Sequence, residues 1–409
     1  MGLRKYMSET IHNLDQYMSD LRQILAQGKK RIGILLGAGT PVSINISKTE
    51  GKHEPLIPAI AGLTETVKKS LSNDESALVT SVIKSLGEAA NIEDILSKIR
   101  SLSSALKGSD QKIGPYTQKH YDDAAKAICK KIGEVVNCKL PSNETPYNRL
   151  AGWIGGTDRE HAVEIFTSNY DLLMEEALEN AKIPFFSGFS GFHEPFFDAA
   201  SISSNDDLPS RWARLWKLHG SLGWGVNEKG ELVSGKGRVA SELIYPDHLK
   251  YDHIQKLPYT ALFDRLRKFL MTPDTLLLSC GFSYCDSHVS AVINEALTAN
   301  PAASVFAFLY QEIDKESAAK ELALKRSNFS AYACDKAVIS CMAGKWELGK
   351  NNDNKDWQNI RASFWATRNK ERNQVFTLGD FTAFANFFAH SKSDQTYSAV
   401  TPLLNVERV

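Results

Sequence analysis

Asn169 and His219 are the residues of this chain best suited to chemistry, and each stands in a short polar segment that ends an apolar run. Thr167-Ser168-Asn169-Tyr170-Asp171 follows Ala162-Val163-Glu164-Ile165-Phe166. Any one of Ser168, Asn169 or Asp171 would serve as the cap of a following helix. A carboxamide and a carboxylate this close together exceed that need and suit hydrogen bonding to ribose hydroxyls and to an amide. Lys217-Leu218-His219-Gly220-Ser221 overlaps the end of a second run, Leu215-Trp216-Lys217-Leu218. An imidazole at a strand tip can act as a general base near neutral pH, although a hydrogen-bonded structural histidine is the commoner occurrence.

Two glycine-containing segments complete the set. Gly37-Ala38-Gly39-Thr40-Pro41-Val42-Ser43 ends the run Ile32-Gly33-Ile34-Leu35-Leu36. Glycines there let the backbone approach a diphosphate, with N–H groups toward its oxygens, and Thr40 and Ser43 add hydroxyl donors. A tight turn needs the same glycines. Val42 stands where Gly-x-Gly-x-x-Gly would place a third glycine, which disfavours an ordinary dehydrogenase fingerprint. The last segment is Ser279-Cys280-Gly281-Phe282-Ser283-Tyr284-Cys285-Asp286-Ser287-His288. Gly281 and Ser283 fit backbone and hydroxyl contacts to a nucleotide, and Asp286 either joins them or caps a helix from residue 288.

The elements preceding these segments must bring them together. A continuous apolar run ending in a glycine turn is typical of a parallel strand. The pattern recurs at 162–166, 215–218, 275–279, 304–309 and 331–339, with helical spacing between runs. That alternation predicts a doubly wound α/β domain built on a parallel sheet, in which ligands lie beyond the carboxyl ends of the strands. The four segments therefore converge on one crevice. Residues 8–28 carry helical spacing through Ile11, Leu14, Met18, Leu21 and Leu25, and residues from about 60 to 155 are mostly helical in period. We read residues 1–30 as an N-terminal helix and 31–310 as a nucleotide-binding domain with a helical module inserted at about 60–155. Residues 311–409 hold the final strands and, from about 340, a helical cap or an oligomerisation segment without a clear period.

Composition bounds the function classes. The 409 residues are 43% hydrophobic and 23% charged, enough for a sizeable core. Lys and Arg total 48, as do Asp and Glu, so net charge gives no reason to expect nucleic-acid or anionic-membrane binding. No apolar run is long enough to cross a bilayer and none resembles a secretory leader, which predicts a cytoplasmic protein. The six cysteines include no Cys-x-x-Cys pair, so we expect no structural zinc and mostly buried, reduced thiols.

Gly37-Ala38-Gly39, Thr167-x-Asn169-x-Asp171, Lys217-Leu218-His219-Gly220 and Gly281-x-Ser283, in this order, resemble the signatures of the sirtuin (silent information regulator) superfamily. The resemblance spans roughly residues 30–310 and implies a Rossmann-type fold with NAD as substrate. Two departures narrow it. The four-cysteine zinc ribbon of the protein deacylases is absent, and Val42-Ser43-Ile44-Asn45-Ile46 replaces their Ile-Pro-Asp-Phe-Arg type segment. The chain thus resembles zinc-free bacterial sirtuin-like proteins of antiphage defence, which are NAD hydrolases. Some of these form large homo-oligomers and pair with a HerA-like hexameric ATPase.

The resemblance implies an NAD glycohydrolase that depletes NAD in abortive infection, without a metal. Asn169 would hold the nicotinamide ribose and the attacking water. His219 would act as general base or polarise a ribose hydroxyl. Asp171 would anchor ribose or support its loop, together with Thr167 and Ser168. The diphosphate would lie on Gly37, Ala38, Gly39 and Thr40 near Ser43, and Gly281, Ser283 and Asp286 would serve the adenosine side. Alternatives on the same site are an NAD-dependent deacylase, an ADP-ribosyltransferase, or a subunit that senses NAD or ADP-ribose without turnover.

Overall fold

The computed structural model describes residues 10–49, 52–88, 90–156, 158–204, 208–235, 258–349, 355–368 and 373–391. Successive side chains of a strand point to opposite faces, so runs that are apolar throughout need a helical layer on each side. Ile32, Ile34 and Leu36 enter one hydrophobic core while Leu35 enters the other. Leu276 and Leu278 likewise separate from Leu277, Ile165 from Phe166, and Leu215 from Trp216.

Ten strands form the main sheet. Their order is Ile11–Asn13, Met342–Glu347, Lys336–Ile339, Phe329–Tyr332, Ser304–Phe308, Thr275–Cys280, Arg31–Leu36, Glu164–Thr167, Ala213–Lys217 and Phe185–Phe186. From Phe329–Tyr332 to Phe185–Phe186 every pairing is parallel. The parallel part of the sheet starts at the central strand Arg31–Leu36, builds outward through Glu164–Thr167, then returns with Thr275–Cys280 to the other side. That reversal is a topological switch point, where a doubly wound sheet opens its ligand crevice.

Among the described residues, five α-helices lie between Arg31–Leu36 and Glu164–Thr167, as the period predicts: Ile60–Ser70, Asn73–Leu86, Ile92–Ala105, Gln118–Val136 and Pro146–Gly155. They join the core on one face of the sheet. The helices Tyr259–Met271, Ser287–Ala299 and Ser317–Lys325 belong to the opposite core.

The far edge differs from the sequence expectation. Residues 331–339 are not one strand but the turn of a hairpin, with Phe329–Tyr332 antiparallel to Lys336–Ile339. A second turn places Met342–Glu347 beside it, through Ser340 and Cys341 at φ values of 51° and 65°. Two left-handed residues in a row are what a tight hairpin turn requires, and Asn-Gly usually supplies them. Here neither residue advertises the turn. The N-terminal segment also differs. Ile11–Asn13 is a strand parallel to Met342–Glu347, and the helix begins only at Leu14, with the Asn13 side chain accepting from Gln16 N at 3.2 Å.

The C-terminal segment is built of defined elements: the helix Lys355–Phe364, the hairpin Trp365–Thr367 with Gln374–Phe376, and the helix Phe381–His390. The last packs on the inserted module, with Phe381 at 4.8 Å from Tyr147 and Phe388 at 4.6 Å from Trp153, ring to ring. Arg361 and Trp357 both donate to the Asp15 carboxylate, which ties the N-terminal helix to this segment. Residues 1–9 and 392–409, the outer parts of the predicted terminal regions, lie outside the described residues.

Candidate active site

A cleft of about 340 Å³ opens beyond the strand ends at the switch point. One wall carries Asn169, His219, Gly281 and Asp286 from the sheet; the other carries Ile57, Leu63, Asn91 and Glu93 from the chain leading into and through the inserted module.

Asn169 is oriented by its amide hydrogens. Nδ2 donates to the Gly37 carbonyl and to Thr40 Oγ1, each at 3.1 Å, and the backbone N donates to Thr167 Oγ1 at 3.0 Å. With both Nδ2 hydrogens engaged behind it, Oδ1 is the atom left to accept a hydrogen bond from a bound group. Thr40 Oγ1 gives its single proton to the Gly37 carbonyl at 2.9 Å. The Tyr147 hydroxyl, 2.9 Å away, must therefore be donating to it. Burial pushes the Tyr147 phenol well above its usual range, which keeps that donor protonated. A chain of hydrogen bonds thus runs from the inserted module through Thr40 to Asn169.

His219 is paired with Asp286, Nε2 to Oδ2 at 2.9 Å. A carboxylate this close holds the ring at the cleft and favours its positive charge. Asp286 is itself fixed, because Oδ1 accepts from His288 N and Val289 N at the start of the helix Ser287–Ala299. Two residues before His219, Lys217 is only 2% exposed. Its ammonium lies 3.2 Å from Glu175 and donates to the Asp171 carbonyl. Burial pushes the carboxyls of Asp171 and Glu175 up, and the Lys217 charge opposes that in both. The buried lysine locks the strand bearing His219 to the turn bearing Asn169.

Glu93, in the first turn of the helix Ile92–Ala105, lines the same cleft from the opposite wall. Burial pushes its carboxyl above the usual carboxylate range; the His219 charge opposes this and Asp286 adds to it. Tyr170 donates to Glu93 Oε1 at 3.4 Å.

The anticipated residues divide into two groups. Ala38, Ser168, Asn169, Asp171, His219, Gly281, Ser283 and Asp286 line the cleft. Gly37, Gly39, Thr40, Ser43 and Thr167 are not among the residues that line it. The hydroxyl of Ser43 donates to the Thr40 carbonyl at 2.8 Å, and Thr40 is fully buried, so neither hydroxyl is the anion donor expected. Nor is the glycine loop an open cradle. The amides of Gly37, Gly39 and Thr40 donate to Cys280, Gly281 and Gly37 carbonyls. The glycines serve a different need: a Cβ on Gly37 would meet the Gly281 carbonyl oxygen at 2.3 Å, and one on Gly281 (φ +69°) would meet Thr40 N at 2.7 Å. The two loops interlock backbone to backbone. Asp286 caps the helix Ser287–Ala299, one of the two roles considered for it, and also pairs with His219, which was not anticipated.

Sequence reasoning missed Glu93 and Tyr147. The signal at Glu93 was Asn91-Ile92-Glu93-Asp94, a helix-start pattern whose place over the strand ends only the fold reveals. Of the cysteines, Cys280 and Cys334 are buried, but Cys285 is exposed and the others are intermediate, fewer buried thiols than expected. Among the described residues, no group of His, Cys, Asp and Glu side chains could hold a metal ion, and no helix is long and apolar enough to cross a membrane.

No curated protein matches the chain. A solved structure titled "Structural Basis for the Mechanism and Regulation of Sir2 Enzymes" is similar at 14% identity and a TM-score of 0.33, over 72% of this chain and 86% of that one. The sequence family described as SIR2-like domain matches residues 163–332, so the stretch that carries Asn169, His219 and Asp286 is similar to a SIR2-like domain.

Proposed function

We propose that this protein binds NAD in the cleft and hydrolyses its nicotinamide–ribose bond, releasing nicotinamide and ADP-ribose. One observation carries the reading: Asn169 and the His219–Asp286 pair line a single cleft at the switch point, within the stretch similar to a SIR2-like domain. Nicotinamide leaves as a neutral molecule from a cationic precursor, so it needs no acid. The site must instead hold an oxocarbenium-like ribose, orient it and supply activated water. Asn169 holds the ribose and water through Oδ1. His219, steadied by Asp286, polarises a ribose hydroxyl or takes a proton. Gly281 and Ser283 serve the adenosine side, and Ala38, exposed at the loop tip, lies nearest the diphosphate.

The test is nicotinamide release from NAD by the purified protein. Asn169→Ala and His219→Ala should each lower it by roughly 10²–10⁴-fold while the protein stays folded. Full activity in both variants would sink the reading. The setting we propose is cytoplasmic NAD depletion in antiphage defence, by a homo-oligomer activated through a HerA-like ATPase. It rests on the resemblance to zinc-free sirtuin-like proteins. Mixing the two proteins and following NAD tests it; robust depletion by a dilute monomer would contradict the need for assembly. Product analysis with an acetylated peptide separates hydrolysis from deacylation, and prolonged incubation separates it from sensing without turnover.

A further inference from the structure

Four carboxylates border the cleft: Glu93, Asp94, Asp171 and Asp286. Three have work within the protein. Asp94 accepts from Asn91 N at 3.1 Å and closes the capping box of its helix. Asp171 is buried and accepts from Leu173 N at 3.1 Å. Asp286 divides its oxygens between a helix cap and His219. Glu93 is different. Its backbone is fixed, since Asn91 Oδ1 accepts from Glu93 N at 2.8 Å, while among the described residues its carboxylate accepts only the long hydrogen bond from Tyr170 and otherwise feels the His219 charge. It is also the carboxylate on the module side with its side chain partly buried, in contrast to exposed Asp94.

A ribose held on the sheet wall by Asn169 and His219 turns its free side to the module wall. We propose that Glu93 is the general base of the hydrolysis, taking the proton of the water that attacks the ribose; this rests on the NAD-hydrolysis reading above. The bond from ribose C1′ to the pyridine nitrogen breaks with its electron pair going to nicotinamide, which leaves neutral. The water oxygen forms the new bond to C1′, and one water proton passes to Glu93 and then to solvent. His219 is thereby assigned to polarising a ribose hydroxyl. The burial that raises the Glu93 carboxyl makes it a better proton acceptor than an exposed glutamate.

The experiment uses whichever preparation, alone or assembled, cleaves NAD. Glu93→Gln and Glu93→Ala should cut ADP-ribose formation by about 10²–10⁴-fold, with a far smaller change in KM. Azide is an anionic nucleophile that needs no deprotonation. It should restore nicotinamide release in Glu93→Ala, with the 1′-azide of ADP-ribose as product, and should not do so in Asn169→Ala. Near-wild-type hydrolysis by both Glu93 variants overturns the assignment, as does azide that leaves nicotinamide release in Glu93→Ala unchanged. A thermal melt of the near-isosteric Glu93→Gln separates loss of the base from loss of the fold. Wild-type cleavage with indifferent Glu93 variants removes Glu93 alone, whereas no cleavage by any preparation removes the NAD-hydrolysis reading and Glu93 with it.

Discussion

The two walls of the cleft are built on different principles. On the sheet wall, Asn169, His219 and Asp286 are placed by strand ends and held from behind, by Thr40, Lys217 and a helix cap. On the module wall, Ile57, Ile60, Leu63 and Val136 form an apolar face, with Glu93 rising from one capped helix start. The first wall fixes directions of hydrogen bonds. The second removes water and so moves a carboxyl away from its ordinary proton affinity. The hydrolysis proposed above, which must both orient a ribose and accept a proton, would draw on both.

The contrast can be broken most forcefully at Lys217. Lys217→Met strands Glu175 and the Asp171 carbonyl in the interior, and should cost about 3–5 kcal/mol in denaturant unfolding. A loss below about 1 kcal/mol would mean that the sheet wall does not depend on its buried lysine. Tyr147→Phe tests whether the walls are independent, because this module residue supports Asn169 on the opposite side. We expect about 1 kcal/mol of destabilisation and a fall of about tenfold in kcat with little change in KM. An unchanged kcat would show that Gly37 and Thr40 suffice to orient Asn169.

The smallest perturbation is a proton. The groups facing Glu93 are His219, Asp286, Asp94 and Tyr170. Its folded carboxyl binds a proton more tightly than an ordinary glutamate, so its share of stability is full at low pH and is lost as pH rises through the raised value. A general base must be ionised, so hydrolysis should run the other way, falling as pH drops through that same value above 4.5. The pH–rate profile of Glu93→Gln should lack this limb; an identical limb would assign it to another group.

How much was legible in the sequence follows from the same contrast. Asn169 and His219 could be read because two-sided apolar strands end where they stand, and a parallel sheet gathers its carboxyl ends. The doubly wound architecture was readable for the same reason. Thr40 and Ser43, expected as anion donors, give their hydroxyl protons to the Gly37 and Thr40 carbonyls, because residue type does not reveal which way a hydroxyl faces in a loop that closes on itself. Gly37 and Gly281 look like a ligand cradle, yet the steric demand comes from each other's backbone. Glu93 was invisible: Ile92, Ile95, Leu96 and Ile99 mark the buried stripe of its helix, and an acid beside that stripe reads as solvated. Only the fold of the module over the strand ends brings it to His219. The hairpin at Ser340-Cys341 hid because its left-handed turn uses residues that rarely adopt one.

The pairing of the chain's two ends bears on the order in which the molecule assembles. Asp15 finds its partners Gly349 and Arg361 at separations of 334 and 346 residues. Contacts of such reach form slowly, and a growing polypeptide meets its early segments first. Asn169, Glu93 and His219 leave the ribosome long before Arg361 does. The edge strand Ile11–Asn13 must wait, unpaired, for Met342–Glu347 to be synthesised. Closure of the fold is therefore a late event, and a nascent chain stalled before residue 342 holds every residue of the proposed site without the clasp that joins its ends.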